Sequence, residues 1–327
     1  MNAISSSGGV PSEISGNFAP STVRVRFEDT NVTNPHLGVP MDHAHPREVI
    51  LSLSCHDTLG IVHAVSGFLV SHGCNILASQ QFDDASEDTF FMRVHATYPA
   101  TVSIGDLKAA FQATADAYGM SWTMADTAKR PKVALMVSKA EHCLNDLLFR
   151  WRAGQLKVDF PFIASNHQNL QPVADAAGIP FFHIPVTPET KRAAEEKLLA
   201  LIAEHQVDLT VLARYMQVLS DDLCRELAGK AINIHHSFLP GFKGARPYHQ
   251  AFERGVKLVG ATAHYVTGEL DEGPIIEQEV LRVGHDFSPA QLAVTGQDAE
   301  RLALSRAVQW HAEQRVLLNG HRTVVFN

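Results

Sequence analysis

The chain has 327 residues, of which 45% are hydrophobic and 19% charged, and it carries a net charge of −8. That composition supports an ordinary buried core and excludes a wholly disordered chain, while the acidic balance argues against nucleic acid as a main partner. No apolar run reaches the roughly 18 residues of a membrane span, no leader is legible, and four widely spaced cysteines form no C-x-x-C pair, so the expectation is a cytoplasmic enzyme with reduced thiols.

Residues 1–46 are nearly half Gly, Pro, Ser, Thr and Asn and show no helical or strand period. Such a stretch buries too little apolar surface to offset its ordering entropy, so it reads as a disordered extension. From Arg47 the pattern sharpens. Residues 49–55 read as a strand, Asp57-Thr58-Leu59-Gly60 as a turn, and residues 61–72 as a helix with apolar residues at Ile61, Val62, Val65, Phe68 and Leu69. A second strand starts at Asn75-Ile76 and a polar turn spans residues 83–88. A third strand covers 90–96, a helix 102–118 and a short strand 120–124. This β-α-β-β-α-β order predicts a ferredoxin-like α+β domain over residues 47–125, followed by a linker at 126–131.

Beyond the linker, strands at 132–137, 158–164, 181–184 and 209–212 alternate with helices at 141–151, 170–177 and 189–205. That alternation over residues 132–327 predicts a doubly wound, mostly parallel α/β sheet, with ligands beyond the carboxyl ends of its strands. A final helical stretch from Ser288-Pro289, broken near Gly296 and ending at Gly320, reads as scaffold.

The segment AINIHHSFLPGFKGARP, residues 231–247, is the most informative. Asn233 and His235 are two apart on a predicted strand and share a face, so its end presents an amide donor and an imidazole to a carbonyl oxygen. A second strand, 263–266, leads into a loop that carries Asp271 before a further strand begins at Ile275. His236 falls on the opposite face and reads as structural. His264 reads equally as a pocket wall or a core histidine, and Arg246 as a substrate contact or a cap beside Pro247 at a helix start. The chain has 18 histidines but no His-Glu-x-x-His spacing, so no metal is expected.

At these residues the chain resembles the folate-dependent formyltransferase superfamily, which shares an Asn-x-His…Asp set. Asn233, His235 and Asp271 match that set, and Ser237, Leu239-Pro240, Gly244 and Gly273 match its surroundings. The resemblance implies a Rossmann-like formyltransferase domain with 10-formyltetrahydrofolate as substrate and no permanently bound cofactor. Asn233 and His235 would then serve as donors to an oxyanion and Asp271 as their charged partner, with the proton route between His235 and Asp271 left open. It further implies folate contacts at Tyr215, Met216, Gln217, Val218, Leu219, Arg246, His264, Val266, Thr267, Gly268, Glu269 and Leu270. Related transferases carry Arg where this chain has Gln217, and Met216, Val218 and Leu219 read equally as packing.

The front, through Asp57-Thr58-Leu59-Gly60-Ile61-Val62 and Gly73-Cys74-Asn75-Ile76, resembles an ACT domain. That likeness implies an amino-acid effector near Asp57, Gly60, Asn75 and Ile76, and a homo-oligomer. The combination of the two resembles the hydrolytic, deformylase branch of the superfamily, in which water takes the formyl group and formate is released for purine synthesis and folate balance. Ser138-Lys139-Ala140-Glu141 carries no glycine to cradle an acceptor's phosphate, which favours water. Two alternatives stay open: a formyl transferase acting on an amine, and an amino-acid sensor whose catalytic domain has lapsed.

Overall fold

Residues 47–241 and 247–327 are described by the computed structural model. The predicted extension 1–46 lies outside them, as do Gly244 and Arg246.

The first layer runs β1 (Arg47–His56), α1 (Ile61–Ser71), β2 (Asn75–Asp84), β3 (Thr89–Tyr98), α2 (Ile104–Ala117) and β4 (Ser121–Asp126). Its sheet has the order β2-β3-β1-β4 and is antiparallel at every pairing. Alternation along β1 explains the packing. Val49, Leu51, Leu53 and Cys55 point to one face and bury against Ile61, Val65 and Leu69 of α1 and Leu107 and Phe111 of α2. The opposite face carries Ser52 and Arg93, both buried. Ser52 Oγ donates to the Gln314 carbonyl at 3.0 Å, and the Arg93 guanidinium donates to the carbonyls of Gln314 and Glu313 at 3.1 and 2.9 Å. The open face of this sheet is thus covered by the C-terminal end of the chain.

The second layer contains β5 (Val133–Val137), α3 (His142–Arg152), β6 (Ile163–Ser165), α4 (Gln171–Ala177), β7 (Phe181–His183), α5 (Lys191–His205), β8 (Leu209–Leu212) and α6 (Asp221–Glu226). It continues with β9 (Ala231–His235), α7 (Pro247–Glu253), β10 (Leu258–Tyr265), β11 (Ile275–Arg282), α8 (Pro289–Ala312) and the hairpin β12 (Val316–Asn319) and β13 (Arg322–Val325). Seven strands form one sheet in the order β11-β10-β9-β8-β5-β6-β7. The five from β9 to β7 are parallel, and β10 runs antiparallel to both of its neighbours, β9 and β11. Every residue of β5 is buried because helices cover both faces: Val133, Leu135 and Val137 join one core with α3 and α8, and Ala134 and Met136 another with α5. The chain leaves β5 toward β6 and β7, then returns to place β8 on the other side of β5. The crevice above the carboxyl ends of β5 and β8 is therefore the switch point where such sheets bind ligands.

Two expectations need correction. The predicted strand 158–164 shrinks to Ile163–Ser165 plus one bridge between Lys132 and Asp159, since Pro161 has no N–H to give a ladder. The last helix is unbroken through Gly296 and stops at Ala312, and the remaining residues form the β12–β13 hairpin. Gly296 is not a break but a packing site, where a Cβ would overlap the Tyr248 hydroxyl. The hairpin's signal was Asn319-Gly320, with Gly320 at φ +58° in the tight loop.

Candidate active site

The pairing of β9 with β10 sets the site's geometry. Asn233 lies opposite His264 and His235 opposite Thr262. His264 is 3% exposed and its Nδ1 lies 2.8 Å from the Tyr265 carbonyl. A carbonyl only accepts, so Nδ1 carries the proton and Nε2 presents a lone pair. Asn233 Nδ2 donates to that lone pair at 3.2 Å, which identifies the amide nitrogen and fixes its orientation. Burial pushes the His264 pKa down, in keeping with a neutral ring. Of the two sequence readings of His264, both hold: it is a satisfied core histidine and a wall of the site.

His235 is buried, and its Nδ1 lies 3.1 Å from Asp271 Oδ1. Asp271 sits in the loop between β10 and β11 at φ +59°, a left-handed conformation that aspartate tolerates better than most residues. Burial alone would raise its pKa. The hydrogen bond from His235 and the charges of His235, His264 and His236 outweigh that and hold the carboxyl below its ordinary value. The loop is pinned at both ends. Tyr265 N donates to the Pro274 carbonyl at 2.9 Å, and a Cβ on Gly273 would overlap the Tyr265 carbonyl.

These groups line a cavity of about 410 Å³ beyond the carboxyl ends of β8 and β9. It gathers Asn233, His235 and Asp271 with Met216, Gln217, Val218, Leu219, His264, Val266, Thr267, Gly268, Glu269 and Leu270, all singled out from sequence. Met216 and Val218 are each 58% exposed, which separates them from core packing and leaves them as apolar surface at the cavity. Ser138 Oγ accepts from Met216 N at 3.0 Å and donates to Asn166 at 2.6 Å, tying this loop to the end of β5. Arg246 lies outside the described residues. Asp57 and Asn75 are exposed, far along the chain in the first layer. Gly60 is the cap of α1 at φ +100° with no side-chain cap, so Asp57 does not serve as one.

The cavity also takes in Tyr215, singled out from sequence with Met216, and three residues that the sequence reading missed: Arg214, Cys224 and His236. His236 was assigned to the opposite face, but β9 ends at His235, and strand alternation no longer governs the next residue. Arg214 directly precedes the segment already singled out from Tyr215. Burial pushes the Tyr215 hydroxyl up to about 12, so it is a neutral donor at neutral pH.

Residues 131–308 match the formyl transferase family model. A formyltetrahydrofolate deformylase of Corynebacterium sp. (strain P-1) is 52% identical over 277 residues, which cover 84% of this chain and 97% of that protein. The chain belongs to the formyltetrahydrofolate deformylase family. A crystal structure of a formyltetrahydrofolate deformylase from Burkholderia mallei aligns at a TM-score of 0.83 and 50% identity, over 86% of this chain and all of that one. A glycinamide ribonucleotide transformylase from Symbiobacterium toebii shares the formyltransferase-type fold at a TM-score of 0.57 and 27% identity, over only 61% of this chain.

In this member of the deformylase family, a buried carboxylate stands beside Arg214, one of the residues that line the cavity. Glu300 of α8 is 1% exposed. His142 Nε2 at the start of α3 donates to its Oε2 at 2.7 Å, Tyr248 Oη of α7 donates to its Oε1 at 2.7 Å, and Arg214 Nε stands 3.3 Å from Oε2. His142, Cys143 and Glu300 place one donor atom each within 4.8 Å of one another. The chemistry does not suit a metal: both Glu300 oxygens are committed, and burial pushes the Cys143 thiol well up, keeping it protonated.

Burial would raise Glu300, but the His142 hydrogen bond, the Arg214 charge and Tyr248 hold it below its ordinary value. A depressed carboxylate stabilises the fold above its unfolded pKa of about 4.3 and loses that contribution as pH falls through the lower folded value. Glu300→Gln should therefore cost about 3–5 kcal/mol near neutral pH, the usual result of stranding a buried charge. In urea titrations the gap from the parent should narrow below about pH 4. A gap that stays constant across that range would show that the carboxylate's charge is not what stabilises.

Proposed function

We propose that the chain hydrolyses 10-formyltetrahydrofolate with water to formate and tetrahydrofolate, with Asn233, His235 and Asp271 as its catalytic residues. The observation that carries this reading is the 3.1 Å contact of Asp271 with His235 Nδ1, beside an Asn233 amide oriented by His264. The names of relatives that match nearly end to end support the reaction, and the shared cavity supports the residues.

With Nδ1 held by Asp271, His235 turns Nε2 away from the carboxylate. That atom is buried and makes no hydrogen bond among the described residues. The formyl oxygen is placed against Nε2–H and the free N–H of the Asn233 amide. Water adds to the formyl carbon, the carbonyl pair moves to oxygen, and both donors stabilise the charge that appears there. One such donor is typically worth about 100- to 1,000-fold in rate. Asp271 takes the proton of the attacking water, and its charge keeps His235 protonated so that Nε2–H faces the formyl oxygen. Collapse breaks the C–N10 bond, N10 gains a proton and formate departs. Met216, Gln217, Val218, Leu219 and residues 266–270 hold the folate.

The product formate supplies purine synthesis and the reaction balances one-carbon folate pools in this reading. Residues 47–125 act as an ACT-type regulatory domain that takes an amino acid near Asp57, Gly60, Asn75 and Ile76, in a cytoplasmic homo-oligomer. Residues 132–327 form the catalytic domain.

Purified protein given 10-formyltetrahydrofolate and no amine should release formate at a steady rate. Silence in that assay, with rapid formyl transfer once amines are added, would move the chain to the transferase reading.

A further inference from the structure

Three buried side-chain nitrogens make no hydrogen bond among the described residues: Nε of Arg214, Nε2 of His235 and Nδ1 of His236. All three belong to residues that line the one cavity holding Asn233 and Asp271. Buried polar groups are seldom left unanswered, and a cluster of them marks a place where a ligand completes the bonding. The mechanism above employs His235 Nε2 and leaves Arg214 and His236 without a task.

Arg214 follows the end of β8 at φ +65°, a left-handed conformation that a residue with a long side chain seldom holds. It sets the guanidinium beside Glu300 at ion-pair distance, but without the alignment of a hydrogen bond. Glu300 is shared with His142 and Tyr248, so it anchors the guanidinium rather than saturating its five donors. The His236 ring stands 5.0 Å from that of His235, edge to face. Burial, followed by the adjacent charges of Arg214 and His235, pushes it down to about 4, so it is neutral at pH 7 and can accept or donate.

The reaction makes an anion from two neutral partners, the formyl group and the water. The water's oxygen ends in formate, which leaves as a carboxylate. A guanidinium with an imidazole at its side suits that change, because planar donors pair well with a carboxylate. We propose that Arg214 and His236, braced by Glu300, form a formate subsite that holds the water before attack and the carboxylate after it. This rests on the hydrolytic reading above. In that step the water oxygen bonds to the formyl carbon, and one water proton passes to the Asp271–His235 pair. The C–N10 bond then breaks as N10 takes the second water proton from the new hydroxyl, formate leaves with one old and one new oxygen, and the pair returns its proton to solvent. The same guanidinium disfavours a protonated amine as acceptor.

The test is binding of isotopically labelled formate to the full chain, followed by its NMR line broadening, with tetrahydrofolate affinity measured in parallel. Arg214→Gln should weaken formate by at least about tenfold, the value of one charge-assisted contact, with tetrahydrofolate affinity within twofold. Arg214→Lys, which keeps the charge, should lose less, and His236→Gln should weaken formate without touching tetrahydrofolate. Equal formate binding in the parent and Arg214→Gln overturns the subsite. So does an equal loss of formate and tetrahydrofolate, which would mean a collapsed cavity. A parent that binds formate through Arg214 yet releases none from 10-formyltetrahydrofolate overturns the hydrolytic reading and keeps the subsite.

Discussion

Asp271→Asn is expected to slow formate release by about 100- to 10,000-fold, the range of a lost general base or its charged partner, while tetrahydrofolate affinity stays within a few-fold. The substitution conserves shape. An asparagine oxygen can still accept from His235 Nδ1, so the ring should keep its place. What disappears is the negative charge 3.1 Å from the imidazole, and with it the means to accept a proton or stabilise a protonated ring. Because His235, His264 and His236 hold the Asp271 carboxyl below its ordinary value, the ionised form persists as pH falls through the usual carboxylate range. The carboxylate-dependent part of turnover should therefore be lost only below that range. Steady-state kinetics of the variant decide the matter, and wild-type turnover by Asp271→Asn would remove the residue from the mechanism.

Gly273→Ala should cost about 100-fold in turnover, comparable to a misplacement of about 1 Å in a reacting group. A Cβ there would overlap the Tyr265 carbonyl and approach His264 Nδ1 at 3.2 Å. The carbonyl is the acceptor that sets the His264 tautomer, and His264 in turn orients Asn233. Backbone cannot retreat as a flexible side chain would. The loop must shift, and Asp271 lies two residues away. Both sides of the catalytic set would move together, so kcat should fall and the melting temperature with it. Gly67→Ala on the exposed face of α1 is the control: a Cβ there meets nothing within 4 Å, and better helix propensity should raise stability with turnover unchanged. Unimpaired turnover in Gly273→Ala would show that the Tyr265 carbonyl does not govern the site.

Much of this was legible without coordinates. The two-residue spacing of Asn233 and His235 puts them on one face of any strand, and that held because β9 extends to His235. The residues from Met216 to Leu219 and from Val266 to Leu270, expected to contact folate, also gather in one cavity. His236 was misplaced at the point where the strand stops, since period-two reasoning has no authority past the last paired residue. Gly296 was read as a helix break because a glycine's local cost is visible in sequence, whereas the Tyr248 hydroxyl that needs its bare backbone is not.

The amino-acid sequence by itself determined the ferredoxin-like front and the mostly parallel sheet, because each is written in short-range periodicity, while Asp271 joined Asn233 and His235 only through resemblance to the formyltransferase superfamily. Tertiary structure alone decided the state of His264, the membership of Arg214 and His236 in the cavity, and the role of Glu300 within a helix that looked like scaffold. Glu300 meets a histidine 158 positions away, together with Arg214 and Tyr248 from other elements. No local pattern encodes such a meeting, because the partner of a buried charge is chosen by which helices pack together and not by the residues beside it.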